Sequence, residues 1–103
     1  IMKLLTQELI KQIPPLYEQE GKGENALAYV KLFTPDSNFN WYITEYDADE
    51  KMCFGLINGF EKELGYFSLN EIEQIKGPMG LEVERDVSFQ PTKLKNLGFD
   101  YGK

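Results

Sequence analysis

The sequence contains no histidine and only one cysteine, Cys53. These absences exclude an internal disulfide, and they exclude sites that need imidazole or several thiolates, namely a Cys/His zinc site, a Ser-His-Asp triad and a Cys-His pair. Cys53 lies between Met52 and Phe54 in a predicted strand, so we interpret it as an unreactive core residue. We expect neither a metal site nor a cofactor.

Long apolar runs and an excess of positive charge are also missing. No apolar run approaches the roughly 20 residues of a membrane-spanning helix, and the N-terminus lacks the features of a signal peptide. We therefore expect a cytoplasmic protein without a membrane partner. The formal net charge of −6 disfavours direct binding to nucleic-acid phosphates and leaves basic protein surfaces as candidate partners.

The length and composition suit one domain. The chain has 103 residues, of which 42% are hydrophobic, and this is enough for one core but not for two. No repeat, low-complexity tract or linker divides it. Because Met2 follows Ile1, we expect the natural chain to begin at Met2, and we take residues 2–103 as the domain.

The order of helix and strand patterns indicates the fold class. Leu5, Leu9 and Ile13 recur at helical spacing around Thr6, which suits an N-cap, and this predicts a helix from Thr6 to Ile13. Alternating and β-branched runs predict four strands, at residues 26–34, 40–46, 52–57 and 64–67. Their short connections favour an antiparallel meander, because parallel neighbours need long crossovers.

The next part of the chain adds a second helix and a fifth strand. Ser68 and Glu71 have the spacing of a capping box, which predicts a helix start at Ser68. Gly77 is expected to adopt the left-handed conformation that ends this helix, and Pro78 prevents its continuation. Residues 81–89 alternate and predict the fifth strand. We therefore predict an α+β fold, a five-stranded, mainly antiparallel meander sheet with two short helices packed on it.

Two polar segments connect these elements. The Gly- and Glu-rich loop between Tyr17 and Asn25 is expected to be the least structured part of the chain, and we assign it no function. Asp47, Asp49 and Glu50 form a hairpin tip that resembles a cation site. We interpret it as a solvated turn, because the glycine and the distal glutamate of a calcium-binding loop are missing.

Arg85, the only arginine, falls on the apolar side of the fifth strand. An unpaired buried guanidinium would cost on the order of several kcal/mol, so Arg85 should meet a carboxylate, expose its head at the sheet edge or lie at a bulge. Glu45 is similarly placed, because alternation puts it on one face with Trp41 and Ile43. This predicts a Glu45–Arg85 ion pair, interpreted as structural, with an arginine that binds a ligand carboxylate or phosphate as the alternative.

Aromatic residues are predicted on both sides of the sheet. The pairs Trp41-Tyr42 and Tyr66-Phe67 place one ring on each face, and two short helices cover only one face. Some rings should then be exposed beside acidic residues, which indicates a protein-binding surface more readily than a nucleic-acid platform. The alternative is that these rings fill both sides of a small core.

The chain also resembles a known family. The resemblance covers nearly the whole chain and is carried by residues 30–35, Trp41, Thr44-Glu45, Asp47, Phe54-Gly55-Leu56, residues 63–69 with Glu71, Gly77-Pro78, Gly80-Leu81 and Glu84-Arg85-Asp86. These residues are similar to a family of small bacterial proteins catalogued as domain of unknown function 2958, found largely on plasmids, phages and conjugative elements. The resemblance implies a cytoplasmic accessory protein of a mobile genetic element, and it supplies no catalytic residues.

The function predicted from the sequence is that of a non-enzymatic interaction module. It would bind an unidentified host or element-encoded protein through its aromatic and acidic sheet surface, and the candidate binding residues are Glu45, Tyr66, Glu84, Arg85 and Asp86. Two alternatives remain open. One is an acidic DNA mimic that inhibits a defence enzyme, and the other is a small-ligand-binding protein or enzyme that uses Arg85 with a carboxylate.

Overall fold

A computed structural model describes residues 3–99, and the expectation for Ile1 and Met2 lies outside this range. In chain order the helices and strands are α1 (Gln7–Gln12), β1 (Leu27–Ala28), β2 (Val30–Phe33), β3 (Asn40–Asp47), β4 (Met52–Asn58), β5 (Lys62–Ser68), α2 (Leu69–Ile72), β6 (Glu84–Arg85) and β7 (Thr92–Lys93). Short 3-10 turns cover Gly23–Asn25 and Leu94–Leu97. No helix within residues 3–99 is long and apolar enough to cross a bilayer.

The predicted five-stranded antiparallel sheet is confirmed. Its strand order is β5-β4-β3-β2-β6, so β2 to β5 form a meander and β6 lies at the edge beside β2. A separate two-stranded sheet pairs β1 with β7. Together with α1 and α2, this gives the α+β fold predicted from the sequence.

Both helices begin where their caps predict. The Thr6 hydroxyl accepts a hydrogen bond from Leu9 N (3.2 Å), and the Ser68 hydroxyl accepts one from Glu71 N (3.3 Å). The end of α2 was predicted wrongly, because this helix stops at Ile72 and Gly77 does not have a positive φ. A side chain at position 77 would instead displace the Asp36 carboxylate, since a Cβ there would lie 1.6 Å from Asp36 Oδ1.

The fifth strand is also much shorter than predicted. Only Glu84 and Arg85 pair with β2. Directly afterwards the Asp86 carboxylate accepts hydrogen bonds from the amide (3.0 Å) and the hydroxyl (2.9 Å) of Ser88, which turns the chain away from the sheet. Val87, which alternation over residues 81–89 would place on the same apolar side as Arg85, is 73% exposed as a result.

Side chains are packed on both faces of the sheet. The face under α1 and α2, here called the helix-covered face, carries the larger core and includes Trp41, Ile43 and Cys53. Tyr42 and Leu56 lie on the other face and pack in a smaller cluster with Ala26, Ala28 and Leu94. The β1–β7 pair and the last 3-10 turn thus cover part of the face that we expected to be open.

A β-bulge in β3 changes which face its side chains occupy. Ile43 pairs with Gly55 and Glu45 pairs with Phe54, so Thr44 is the extra residue. Beyond the bulge, Tyr46 joins Trp41 and Ile43 in the helix-covered core. The expectation that Glu45 shares a face with Trp41 and Ile43 is therefore wrong, because the bulge moves Glu45 to the opposite face.

We expect Gly55 to be essential for the close approach of β4 to the bulged strand. A Cβ at Gly55 would lie 1.8 Å from the Tyr42 carbonyl oxygen, whereas a Cβ at its partner Gly65 would lie 3.5 Å from Ile57 Cδ1. Gly55→Ala should lower the free energy of unfolding by about 2–4 kcal/mol, measured by urea denaturation. Gly65→Ala is the matched control and should change it by less than about 1 kcal/mol. Equal effects would contradict this account.

Candidate functional site

A cavity of about 350 Å³ lies on the sheet face opposite the helices, here called the cavity face. Its wall is formed by the loop that precedes β1, and its floor by the bulge in β3 together with β4 and β5. The volume is within the range of small-ligand sites. This cavity is the candidate functional site.

The floor is a row of side chains that strand pairing places side by side. Glu45 pairs with Phe54, and Phe54 pairs with Tyr66, so all three project from the cavity face. The Phe54 and Tyr66 rings contact each other edge to face, with centroids 4.8 Å apart. Tyr66 remains 52% exposed at the mouth of the cavity.

The Glu45 carboxylate holds the loop in place. Glu45 is only 4% exposed, and its two oxygens accept hydrogen bonds from Tyr17 N (2.8 Å) and Gln19 N (2.7 Å). A buried carboxylate needs hydrogen-bond donors for its oxygens, because an unpaired buried charge is strongly destabilising. The bulge that reorients Glu45 thereby positions the wall of the cavity.

Gln19 fixes the same loop through its side chain. Its Nε2 donates to Leu27 O (2.8 Å) and Thr44 O (2.8 Å), and its Oε1 accepts from Leu27 N (2.7 Å). Gln19 therefore ties the loop to both β1 and the bulge in β3. The expectation that this loop is the least structured segment is wrong, because buried hydrogen bonds anchor it.

Tyr17 completes the mouth of the cavity. Its side chain is 63% exposed, and its backbone has a φ of 75°, which is unusual for a bulky residue. The hydrogen bond from Tyr17 N to Glu45 helps to maintain this conformation. Gly21 and Gly23 follow with φ values of 87° and 53°, which glycine adopts at little steric cost.

The tyrosines at the mouth interact with each other and with the nearby acids. A hydrogen bond with the Tyr17 side chain raises the pKa of Tyr66 above its usual value, as do burial and the negative charges of Glu45 and Glu20. Tyr66 is therefore neutral at physiological pH and offers a hydroxyl and a ring face. Tyr17 and burial are the main causes of this pKa shift, and the two glutamates contribute less.

Comparison of the sequence with models of known protein families identifies a match. The family model described as "Protein of unknown function (DUF2958)" matches residues 4–96. The chain belongs to this family. No curated protein and no solved structure matches the chain.

In this DUF2958 protein, the candidate binding residues lie in two separate regions of the surface. Glu45 and Tyr66 lie together in the cavity. Glu84, Arg85 and Asp86 instead line a shallow groove with Lys31 at the other side of the sheet, where β6 is the edge strand. The five residues therefore do not form one surface.

The predicted Glu45–Arg85 ion pair does not form. The Glu45 carboxylate binds main-chain amides, and Arg85 NH1 donates to Lys3 O (2.7 Å) and Leu4 O (2.8 Å). The bulge places Glu45 on the cavity face, while Arg85 lies at the sheet edge and ties the N-terminal segment to β6. Main-chain carbonyls as acceptors for Arg85 were not among the options considered from the sequence.

Two further acidic groups have structural partners. The Ser88 hydroxyl and amide, and more weakly the Lys31 charge, lower the pKa of Asp86 below its usual value. In the hairpin tip, Asp47 Oδ1 accepts a hydrogen bond from Asp49 N (3.0 Å), as in an Asx turn. Within residues 3–99, no three acidic or cysteine side chains are grouped so that they would hold a metal ion.

Sequence reasoning missed Tyr17, Gln19 and Phe54 as parts of the site. Phe54 and Tyr66 could have been paired, since both lie in predicted neighbouring strands, but only once the turn between these strands was known. Tyr17 and Gln19 lie in a polar loop whose composition indicates exposure. No pattern in the sequence marks Gln19 as buried.

We expect Glu45 to stabilise the fold through the loop. Glu45→Ala leaves the amides of Tyr17 and Gln19 without their acceptor and should lower the free energy of unfolding by about 2–4 kcal/mol. Amide hydrogen exchange at Tyr17 and Gln19 should accelerate, as measured by NMR. The control is Glu63→Ala, since Glu63 is exposed and should change stability by less than about 0.5 kcal/mol. Unchanged exchange in Glu45→Ala would show that the carboxylate does not hold the loop.

Arg85 should also affect stability. Arg85→Ala removes the donor to the carbonyls of Lys3 and Leu4 and should cost about 1–3 kcal/mol in the free energy of unfolding. The exposed Lys95→Ala serves as the charge-matched control, with an expected change below about 0.5 kcal/mol. Urea denaturation measures both. A fully stable Arg85→Ala variant would argue against a structural role for this arginine.

Proposed function

We propose that the protein is a non-enzymatic protein-interaction module whose cavity receives part of a partner protein. The observation that carries the proposal is the exposed pair Tyr17 and Tyr66 at the mouth of a cavity that is held open by Glu45. Tyrosine is enriched at protein interfaces, because its ring is rigid and apolar while its hydroxyl tolerates water. A cavity with such a rim suits a side chain that inserts from a partner surface.

The chemistry of the cavity supports binding over catalysis. Each Glu45 oxygen already accepts a main-chain hydrogen bond, which fixes the carboxylate as a structural acceptor. Tyr66 has a raised pKa, so it is a poor proton acceptor at neutral pH. Outside the cavity, burial raises the pKa of Cys53 to about 12, so its thiol is a poor nucleophile.

The proposal extends to the biological setting. The residues shared with the DUF2958 family favour an accessory protein of a mobile genetic element that acts in the bacterial cytoplasm. The partner would then be a host protein or another protein encoded by the element. The net charge of −6 favours a partner with a basic surface, because opposite charges steer association.

Site-specific photocrosslinking tests this function. The photoreactive amino acid p-benzoylphenylalanine would replace Tyr66 in one version and Phe60 in a control, in a host that carries the parent element. Phe60 is fully exposed and aromatic but does not line the cavity. We expect one dominant crosslinked protein from position 66, reduced by excess unlabelled wild type, and none from position 60.

The result would contradict the proposal if position 66 captured no protein, or if both positions captured the same mixture. Excess Tyr66→Leu protein provides a second comparison, because it lacks the ring at the mouth and should compete about tenfold less well than the wild type. Equal competition by the two proteins would place the binding surface away from the cavity.

A further inference from the structure

We infer that the cavity binds the cationic end of a lysine or arginine side chain, seated among the rings of Tyr17, Phe54 and Tyr66 with Glu45 as its counter-charge. The inference rests on the proposed function and names the chemical group that the partner inserts. It depends on the charge, the ring arrangement and the size of the cavity.

The charge lining the cavity has one sign. Glu45 and Glu20 line it, and among the described residues 3–99 the lining includes no lysine or arginine. Within residues 3–99, the acceptors of Glu45 are occupied by neutral main-chain amides and not by a cationic side chain. A buried carboxylate without a cation leaves a negative potential in the space above it, where low polarity strengthens attraction. An anionic ligand is disfavoured by the same potential.

The aromatic rings supply a second attraction for a cation. Phe54 and Tyr66 contact each other on the floor, and Tyr17 lines the same cavity at its mouth. The three aromatic side chains thus line the same cavity as Glu45. Ring faces attract ammonium and guanidinium groups, most strongly where water is partly excluded.

The behaviour of Tyr66 agrees with this arrangement. The charges of Glu45 and Glu20 contribute to the raised pKa of the Tyr66 hydroxyl, because they disfavour a third negative charge at the mouth. The same charges would favour a positive group at that position.

The size of the cavity limits the ligand to a single side chain. A volume of about 350 Å³ accommodates the four-carbon stem and the head group of lysine, or the guanidinium of arginine. Leu64 and Leu94 offer apolar surface for the stem. The walls thus match both the apolar and the charged part of such a side chain.

NMR titration of the full chain tests this inference with defined probes. N-acetyl-lysine methylamide and N-acetyl-arginine methylamide carry the two cationic groups, and N-acetyl-norleucine methylamide is the neutral control. We expect saturable shifts of the Tyr17 and Gln19 amide signals with at least one cationic probe, with a Kd on the order of 1–10 mM. The norleucine probe should bind about tenfold more weakly.

Variants at the mouth separate ring chemistry from simple packing. Tyr66→Phe keeps the ring and should retain affinity within about twofold, whereas Tyr66→Leu should weaken binding by about tenfold. Tyr66 is exposed, so both variants are expected to fold. Glu20→Gln removes one exposed charge and should weaken the cationic probes by about threefold but not norleucine. Phe60→Leu is the matched aromatic control outside the cavity and should have no effect.

The outcomes distinguish this inference from the proposed function. Equal binding of norleucine and the cationic probes, or no saturable shift up to about 100 mM, would overturn the cationic assignment. If position 66 then still crosslinked to one protein, the interaction module would stand with a different inserted group. Specific cation binding without any crosslinked protein would support the cavity chemistry and overturn the protein-partner proposal.

Discussion

The hydrogen bonds between the Glu45 carboxylate and the loop amides are the constraint on which the cavity depends. They exist because one extra residue, Thr44, shifts the alternation of β3 and turns Glu45 away from the helix-covered core. Without that shift, a carboxylate would face Trp41 and Ile43, where burial would be costly. The bulge thus keeps the carboxylate out of the helix-covered core and places it on the opposite face, where it binds the loop amides.

The hydrogen bonds of Glu45 explain why the loop between Tyr17 and Asn25 has a defined shape despite its polar composition. Glu45 holds the backbone at Tyr17 and Gln19, and the Gln19 side chain then satisfies the main chain of Leu27 and Thr44. Each bond satisfies a buried polar group that would otherwise be left unpaired. Loop, bulge and β1 therefore form one hydrogen-bonded unit, and the cavity is the space that this unit encloses against β4 and β5.

The sequence predicted those helices and strands that are marked by capping residues or by alternation of neighbouring side chains. Thr6 and Ser68 marked the helix starts, and alternation located β3, β4 and β5. The position of Glu45 was not predicted, because alternation was continued through β3 although it placed a carboxylate beside Trp41 and Ile43. Gly55, which pairs with Ile43 beside the bulge, is a second sign of the irregularity, because a side chain there would clash with the backbone at Tyr42.

The same limit explains the errors around Arg85. Its alternating neighbours predicted a long strand, but the turn formed by Asp86 and Ser88 ends pairing after two residues. Arg85 then reaches the carbonyl groups of Lys3 and Leu4, which are distant in the sequence. Partners at such separation are set by tertiary structure and leave no mark in the local pattern. The two candidate groups were therefore joined in the sequence analysis although the fold keeps them apart.

The role of Glu45 also links stability to binding. Two main-chain amides need two acceptors, and glutamine would offer one acceptor and one donor, so the structure requires a carboxylate at this position. This carboxylate is charged, and no cationic side chain among residues 3–99 pairs with it in the cavity. A bound cation would offset the cost of burying this charge and would thereby stabilise the loop that shapes the cavity. Ligand binding and loop order would then be coupled through one side chain.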